Sequence, residues 1–361
     1  MKATLSRLDF KSNAIGFLRL FLAVIVVWSH GKALTGQEPI MAYSHDTFSA
    51  AFLAVSCFFV LSGFLITRSG ESLNRPARFM WHRVLRIYPG FWVCLLVTAF
   101  LFAPIMYFIQ SGTLHGYLLS PDGPLSYVYK NAPAFGGQTD IKNLITSGPF
   151  PGQIDMSLWT LPWETACYIL VALFGLFAVH RSPRSVPIVT VALILAMFAM
   201  ETVMRHAPIF QFVYPLYLFI VFGLGSSAYL FRSRIPTRWP LALAATIVVF
   251  VALPTPFCRT VVPIPMAYLT LYAAMRVPIR SFDRRVDLSY GLYIYSVPIQ
   301  YVLVMLGAQR FGSALYFLCT MAVALAFAAA SWFVIEKPAL SLRTLPLPNW
   351  LSRRGNAGIA L

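Results

Sequence analysis

The sequence predicts an all-α protein, a polytopic bundle of about ten membrane-spanning helices with both termini cytoplasmic. Three observations carry that expectation. Only 11% of the 361 residues are charged while 58% are hydrophobic, against about one quarter charged in an ordinary soluble domain. Mean hydropathy is +0.71. The apolar residues fall in long runs, where a water-soluble helix or strand would alternate. Such a chain cannot cover its own surface with polar groups in water.

The expected spans, in order, are 14–34, 48–67, 87–109, 160–180, 186–204, 209–231, 239–257, 260–276, 288–309 and 313–335. Each approaches the roughly 20 residues needed to cross about 30 Å of hydrocarbon. The first is too long for a cleavable signal segment and has no small-residue cleavage site after it, so it is expected to remain as an anchor. Orientation follows from the basic residues. Loops at one set of span ends carry twenty-one Lys and Arg, from Lys2, Arg7 and Lys11 through Arg68, Arg75, Arg78, Arg83 and Arg86 to Arg353 and Arg354. The alternate loops carry six: Lys32, Lys130, Lys142, Arg205, Arg259 and Arg310. Cytoplasmic loops are the basic ones. The net charge of +16 is therefore read as topology and not as a nucleic-acid surface.

One long loop, 110–158, should face outward. Pro121-Asp122-Gly123-Pro124, Gly136-Gly137 and Pro149-Phe150-Pro151-Gly152 mark turns within it. A loop of this length is uncommon unless it is functional or disordered. The cysteines at 57, 94, 167, 258 and 319 make no CxxC and an odd number, so neither a disulfide framework nor a metal site is expected. No internal repeat, low-complexity tract or second soluble domain is evident, which leaves a single membrane domain over 1–361.

Ionisable residues inside a span are costly and point to function. Arg19 and His30 lie eleven residues apart in the first span, within about 20° of three full helical turns, so they share a face about 16 Å apart along the axis. Taken separately, Arg19 could snorkel to the interface and His30 could hydrogen-bond a neighbouring helix; the shared face favours a functional pair. Glu164 follows Ser157-Leu158-Trp159-Thr160-Leu161-Pro162-Trp163 in a helix entering from outside. It is expected at the depth of His30, where its carboxylate would orient the imidazole as a general base. The plainer account is an interfacial glutamate in a tryptophan belt.

A second cluster is expected at the cytoplasmic side, where Ser62 and Gly63 close the second span at nearly the depth of Arg19. Gly63 could instead serve close helix packing. Arg83 and Arg86, at i and i+3, share a helix face and suit phosphate oxygens, although five arginines in one loop also satisfy topology alone. In the ninth span Ser289, Tyr293, Ser296 and Gln300 form one polar stripe, interrupted by Pro298. It should face the bundle interior, as packing glue or as the wall of a wet cavity.

Together these segments resemble acyltransferase family three, integral membrane O-acyltransferases acting on envelope or secreted carbohydrates. The resemblance rests on Arg19-x10-His30, on Phe58-Phe59-Val60-Leu61-Ser62-Gly63-Phe64-Leu65-Ile66 and on Arg83-x-x-Arg86-Ile87-Tyr88-Pro89. It continues with Ser157 to Glu164 plus Cys167-Tyr168, Ser289-Tyr290-Gly291-Leu292-Tyr293 and Glu336-Lys337-Pro338. Singly weak, these motifs occur in family order over residues 19–338. Around the acidic position family members read Val-Glu-Glu or Tyr-Glu, whereas this chain reads Trp163-Glu164-Thr165. That departure keeps the glutamate but does not help identify the acceptor.

The resemblance implies transfer of an acyl group, usually acetyl, from cytoplasmic acyl-CoA to a carbohydrate or glycolipid hydroxyl across a bacterial inner membrane. No metal is implied. Some relatives carry a fused extracytoplasmic domain; none is evident here, so a second transfer step would need a separate partner. The expected roles are catalytic for His30, Glu164 and Arg19, and donor-binding for Arg83, Arg86, Ser62 and Gly63. Trp159, Tyr168, Tyr290 and Tyr293 are candidates for lining the substrate. Direct transfer and an acyl-histidine intermediate both remain open. The competing class is a secondary transporter of a polar or anionic solute, for which intramembrane charges are also expected. A scaffold or sensor would tolerate replacement of Arg19 and His30.

Overall fold

A computed structural model describes residues 4–10, 12–36, 38–73, 76–176, 182–203, 211–279 and 286–345. Among them the regular structure is helical throughout, with one isolated bridge between Thr4 and Pro236. In chain order the helices are α1 (Ile15–Leu34), α2 (Pro39–Tyr43), α3 (Ala50–Leu73), α4 (Pro76–Val97), α5 (Ala103–Ser111) and α6 (Pro124–Asn131). They continue with α7 (Leu161–Leu176), α8 (Ser185–Thr202), α9 (Val213–Leu230), α10 (Trp239–Ala252), α11 (Cys258–Val261) and α12 (Pro263–Arg276). The last are α13 (Ser289–Met305), α14 (Ser313–Ser331) and α15 (Lys337–Ser341).

Every expected span holds a helix. Among the described residues six helices are long and apolar enough to cross a membrane: Ile15–Leu34, Ala50–Glu71, Pro76–Ser111, Ser185–Thr202, Val213–Leu230 and Ser313–Thr344. Two of these run through a π-helical turn, Thr98–Phe102 joining α4 to α5 and Trp332–Glu336 joining α14 to α15. At the other places α10 and α12 are shorter with 14 residues and α13 with 17, while α7 is described over 16 residues up to where the described stretch stops. Prolines account for part of this. Pro254 and Pro256 follow α10, and Pro263 opens α12 directly after α11. Several of the basic residues that set the expected orientation, among them Lys2, Lys11, Arg75, Arg181, Arg205 and Arg280, lie outside the described residues, as does the end of the 160–180 span.

The centre of the bundle is α3, packed most extensively on α9 and then on α1. Two glycines permit that approach. A Cβ on Gly63 would lie 2.0 Å from Phe222 O, and one on Gly225 would lie 2.1 Å from Val60 O. The pair is reciprocal, as expected for helices held by small residues at their crossing. The polar stripe of α13 faces inward: Ser289, Tyr293, Ser296 and Gln300 are all buried, and α13 packs on α1 and α14.

The 110–158 loop is a folded cap. It contains α6, and it buries Tyr127, Ile141, Leu144 and Ile154. Asp140 accepts from the Ile141 and Ile145 amides, while Asn131 bonds Tyr127 O and Gln138 O. Its final stretch dips between the helices. Asp155 Oδ1 accepts from the Ser157 amide at 3.1 Å and starts a 3₁₀ turn over Met156–Thr160 that leads into α7.

Candidate active site

Two clefts enter the bundle from opposite ends of α1. The first, at the basic end, is a cleft of about 160 Å³ between α1, α3, α4, α7 and α13. Arg19, Ser62, Arg83, Arg86, Glu164, Tyr168, Tyr290 and Tyr293 all line it. The second, about 380 Å³ beneath the folded loop, is lined by His30, Ser29, Asp46, Trp159 and Tyr214, with Phe150 and Gln153 from the loop. Val55 and Tyr293 line both.

The basic cleft is organised by a carboxylate that sequence reasoning missed. Asp287, just before α13, receives Arg19 Nη1 at 2.7 Å and Arg86 Nη2 on the same oxygen, Oδ2. Its other oxygen accepts from the Ser289 amide at 3.1 Å and the Ser289 hydroxyl at 2.6 Å, which ties it to the start of α13. Burial works against ionisation of Asp287, but the Arg19 and Arg86 guanidiniums outweigh it and hold the carboxyl below the usual carboxylate range. A sequence signal existed, since Asp-x-Ser ahead of an apolar run is a helix-start pattern.

Arg83 is placed differently. Its guanidinium carbon stands 5.8 Å from the Phe79 ring centroid and 5.9 Å from that of Tyr168. Its Nε is buried without a hydrogen-bond partner among the described residues. The glutamate of the cleft, Glu164, accepts the Tyr168 hydroxyl. A buried cation with an unfilled donor at the wall of an open cleft is what an anionic ligand would complete.

Two expectations need correction. Glu164 was expected beside His30, but the structure puts it in the basic cleft with Tyr168 and the arginines, while His30 lines the other cleft. The cause is the dip of the loop. Met156 and Trp159 already line the His30 cleft before α7 begins at Leu161, so Glu164 lies further along, past Tyr293. Gly63 was expected to bind donor. It faces α9 instead, where its carbonyl accepts the Ser226 hydroxyl at 3.2 Å, and it is absent from the cleft wall. The plainer packing account holds for it.

At the His30 end the polar groups are tied to backbone. Glu38, also missed from sequence, accepts from the Ser29 hydroxyl, the Met41 amide and the Ala50 amide, stitching α1, α2 and the start of α3 together. His30 is buried, and its Nδ1 has no partner among the described residues. Gln300 Nε2 donates to Val27 O at 2.7 Å, one turn before His30, and Gln300 Oε1 is likewise without a partner. Tyr290 donates to Ile87 O at 2.9 Å and braces the wall of the basic cleft. Trp159 lies 6.2 Å from the Phe52 ring, nearly parallel to it.

A family described as "Acyltransferase domain" matches residues 12–333, nearly the whole chain and both clefts. The protein belongs to acyltransferase family three. Among curated proteins it is similar to the O-acetyl transferase of Shigella phage Sf6, 27% identical over 350 residues covering 91% of this chain and 96% of that one. It is also similar to Nodulation protein 10 of Rhizobium leguminosarum bv. viciae, 29% identical over 374 residues covering 92% and 94%. No solved structure matches significantly. This acyltransferase is an integral membrane enzyme, and its family motifs are distributed between the two clefts.

Proposed function

We propose that this acyltransferase moves an acetyl group from cytoplasmic acyl-CoA to a hydroxyl of an extracytoplasmic carbohydrate, at a bacterial inner membrane. The observation that carries the reading is the end-to-end arrangement of the clefts, arginines at one end and an imidazole at the other, with Val55 and Tyr293 common to both. The O-acetyl transferase among its relatives supports the acyl group and the class of acceptor atom. The basic loops support the sidedness.

In this reading Arg83 takes the phosphates, because its guanidinium is the one in the cleft not already claimed by Asp287. Arg19 and Arg86 add positive field from beside it. An extended pantetheine arm has a length on the order of the ~16 Å from Arg19 to His30 along α1. His30 then acts as general base. It takes the proton from the acceptor hydroxyl, whose oxygen attacks the thioester carbonyl carbon; the carbon–sulfur bond breaks, and His30 returns the proton to the leaving thiolate. The products are an ester and free CoA. Glu164 has a different task from the one its sequence position suggests. Paired to Tyr168, it balances Arg83 and shapes the donor cleft.

Oriented vesicles test the proposal. Labelled acetyl-CoA at the cytoplasmic face should label a glycan held on the opposite face, with free CoA released on the side of supply. Both substrates at the outer face should give no product. Equal labelling from either face would remove the sidedness, and no CoA release from folded protein would remove the reaction.

A further inference from the structure

Among the described residues two side chains line both clefts, Val55 of α3 and Tyr293 of α13, and they form the wall where the clefts meet. Phe58, one turn along α3 from Val55, meets the Tyr293 ring edge-on, with centroids 6.3 Å apart at 66°. The far end of the same ring is pinned. Its hydroxyl donates to Ser157 O at 2.8 Å and stands 2.8 Å from Thr160 Oγ1. Both partners belong to the 3₁₀ turn that leads into α7, the helix that carries Glu164 and Tyr168. Tyr293 is thus fixed from both ends, in a helix whose whole middle is buried.

We infer that Tyr293, with Val55, is the acyl-size filter of this enzyme, and that its hydrogen bonds to Ser157 and Thr160 keep the filter rigid. The inference rests on the proposed route, in which the thioester of a donor held at the arginines is presented to His30. On that route the acyl group has to lodge at the wall between the clefts. A close-packed wall gives way poorly to added methylenes, and a single methylene in an apolar pocket changes reactivity about 10–200-fold. A two-carbon acyl group fits between Val55 and Tyr293 more readily than a four- or six-carbon one. Donors with longer chains should still bind by their phosphates, because those contacts lie elsewhere, but their carbonyl would be held back from His30.

The test compares acetyl-, butanoyl- and hexanoyl-CoA on wild-type protein and on Tyr293→Phe, Tyr293→Ala and Val55→Ala. Two quantities are read, the ratio of kcat/KM for the long donor to that for acetyl-CoA, and the affinity for the corresponding non-transferable ketone analogues. Wild type should favour acetyl by at least tenfold per two added carbons in kcat/KM. Tyr293→Phe keeps the ring and loses the two hydrogen bonds, and it should raise the butanoyl-to-acetyl ratio severalfold. Tyr293→Ala and Val55→Ala should raise it about tenfold or more, with analogue affinity rising for the longer chains. Val55→Ala keeps the test decisive if a Tyr293 variant does not fold. Unchanged ratios in folded variants that still transfer acetyl would overturn the filter while leaving the reaction standing. A wild-type protein that consumes no acyl-CoA at all would instead overturn the reaction, and the filter with it.

Discussion

In the basic cleft charged side chains answer one another, whereas in the His30 cleft the polar groups answer the backbone and the imidazole is left open. Asp287 is shared by Arg19 and Arg86, and Glu164 by Tyr168. At the other end Glu38 is consumed by two amides and a serine hydroxyl, and His30 Nδ1 has no partner among the described residues. The difference separates two tasks. In the proposed reading the cleft that receives a polyanion is arranged before it arrives, by ion pairs that hold Arg19 and Arg86 in place beside Arg83. In the same reading the open imidazole is the group that takes up and returns one proton.

The largest effect is expected at His30. His30→Gln should lower acyl transfer by 10²–10⁴-fold, the usual worth of a general base, with the donor affinity of the basic cleft nearly unchanged. Transfer kinetics and titration with a non-transferable donor would be read on the same preparation. Wild-type turnover in a folded variant would remove His30 from the chemistry.

Asp287→Asn attacks the other end. Removing one partner of a buried ionic cluster costs about 3–5 kcal/mol because the remaining charges stay unpaired. Asp287 is 9% exposed, but Arg86 and Arg19 are 17% and 27% exposed toward the cleft, so the lower end, about 3 kcal/mol, is expected in unfolding measurements in detergent. The pH dependence has a definite sign. The folded carboxyl is held below its ordinary value near 3.9, so its contribution is fully present above that value and is lost only as pH falls through the folded one. The gap between wild type and Asp287→Asn should therefore survive down to about pH 5 and close only in stronger acid. A gap that closed above about pH 5 would mean that the two arginines do not hold the carboxyl ionised.

The class of fold was legible because lipid imposes so strong a constraint: apolar runs of fixed length and basic loops are hard to hide. Arg19, Arg83, Arg86 and Ser62 were legible as one cluster because helix periodicity orders residues along an axis. Contacts between helices are another matter. Asp287 sits 268 positions from Arg19 in sequence, and nothing in a single span announces its partner. Glu164 was misplaced because depth was counted from where a hydrophobic run begins, and the loop ahead of α7 enters the bundle before that run does. Gly63 illustrates the same limit, since a glycine beside a functional serine reads alike whether it faces a ligand or a carbonyl of α9.

The smallest expected effect is at the His30 end, at Gln300. Its Nε2 is committed to Val27 O, which fixes the sense of the amide and leaves Oε1 as a buried acceptor without a donor. His30, on the next turn of the same stretch of α1, has a buried Nδ1 without a partner. A base that works through Nε2 carries its resting proton on Nδ1, and that proton requires an acceptor when buried. Gly31 lies against Gln300, where a Cβ would stand 3.1 Å from Nε2, so the amide is already drawn close to this turn. Gln300→Leu removes the open acceptor beside this turn and should lower kcat, with little change in KM for the donor. Gln300→Glu keeps an acceptor at the same place and should retain more of kcat than the leucine variant. A merely structural glutamine would lower stability in both variants and leave kcat of the folded protein where it was.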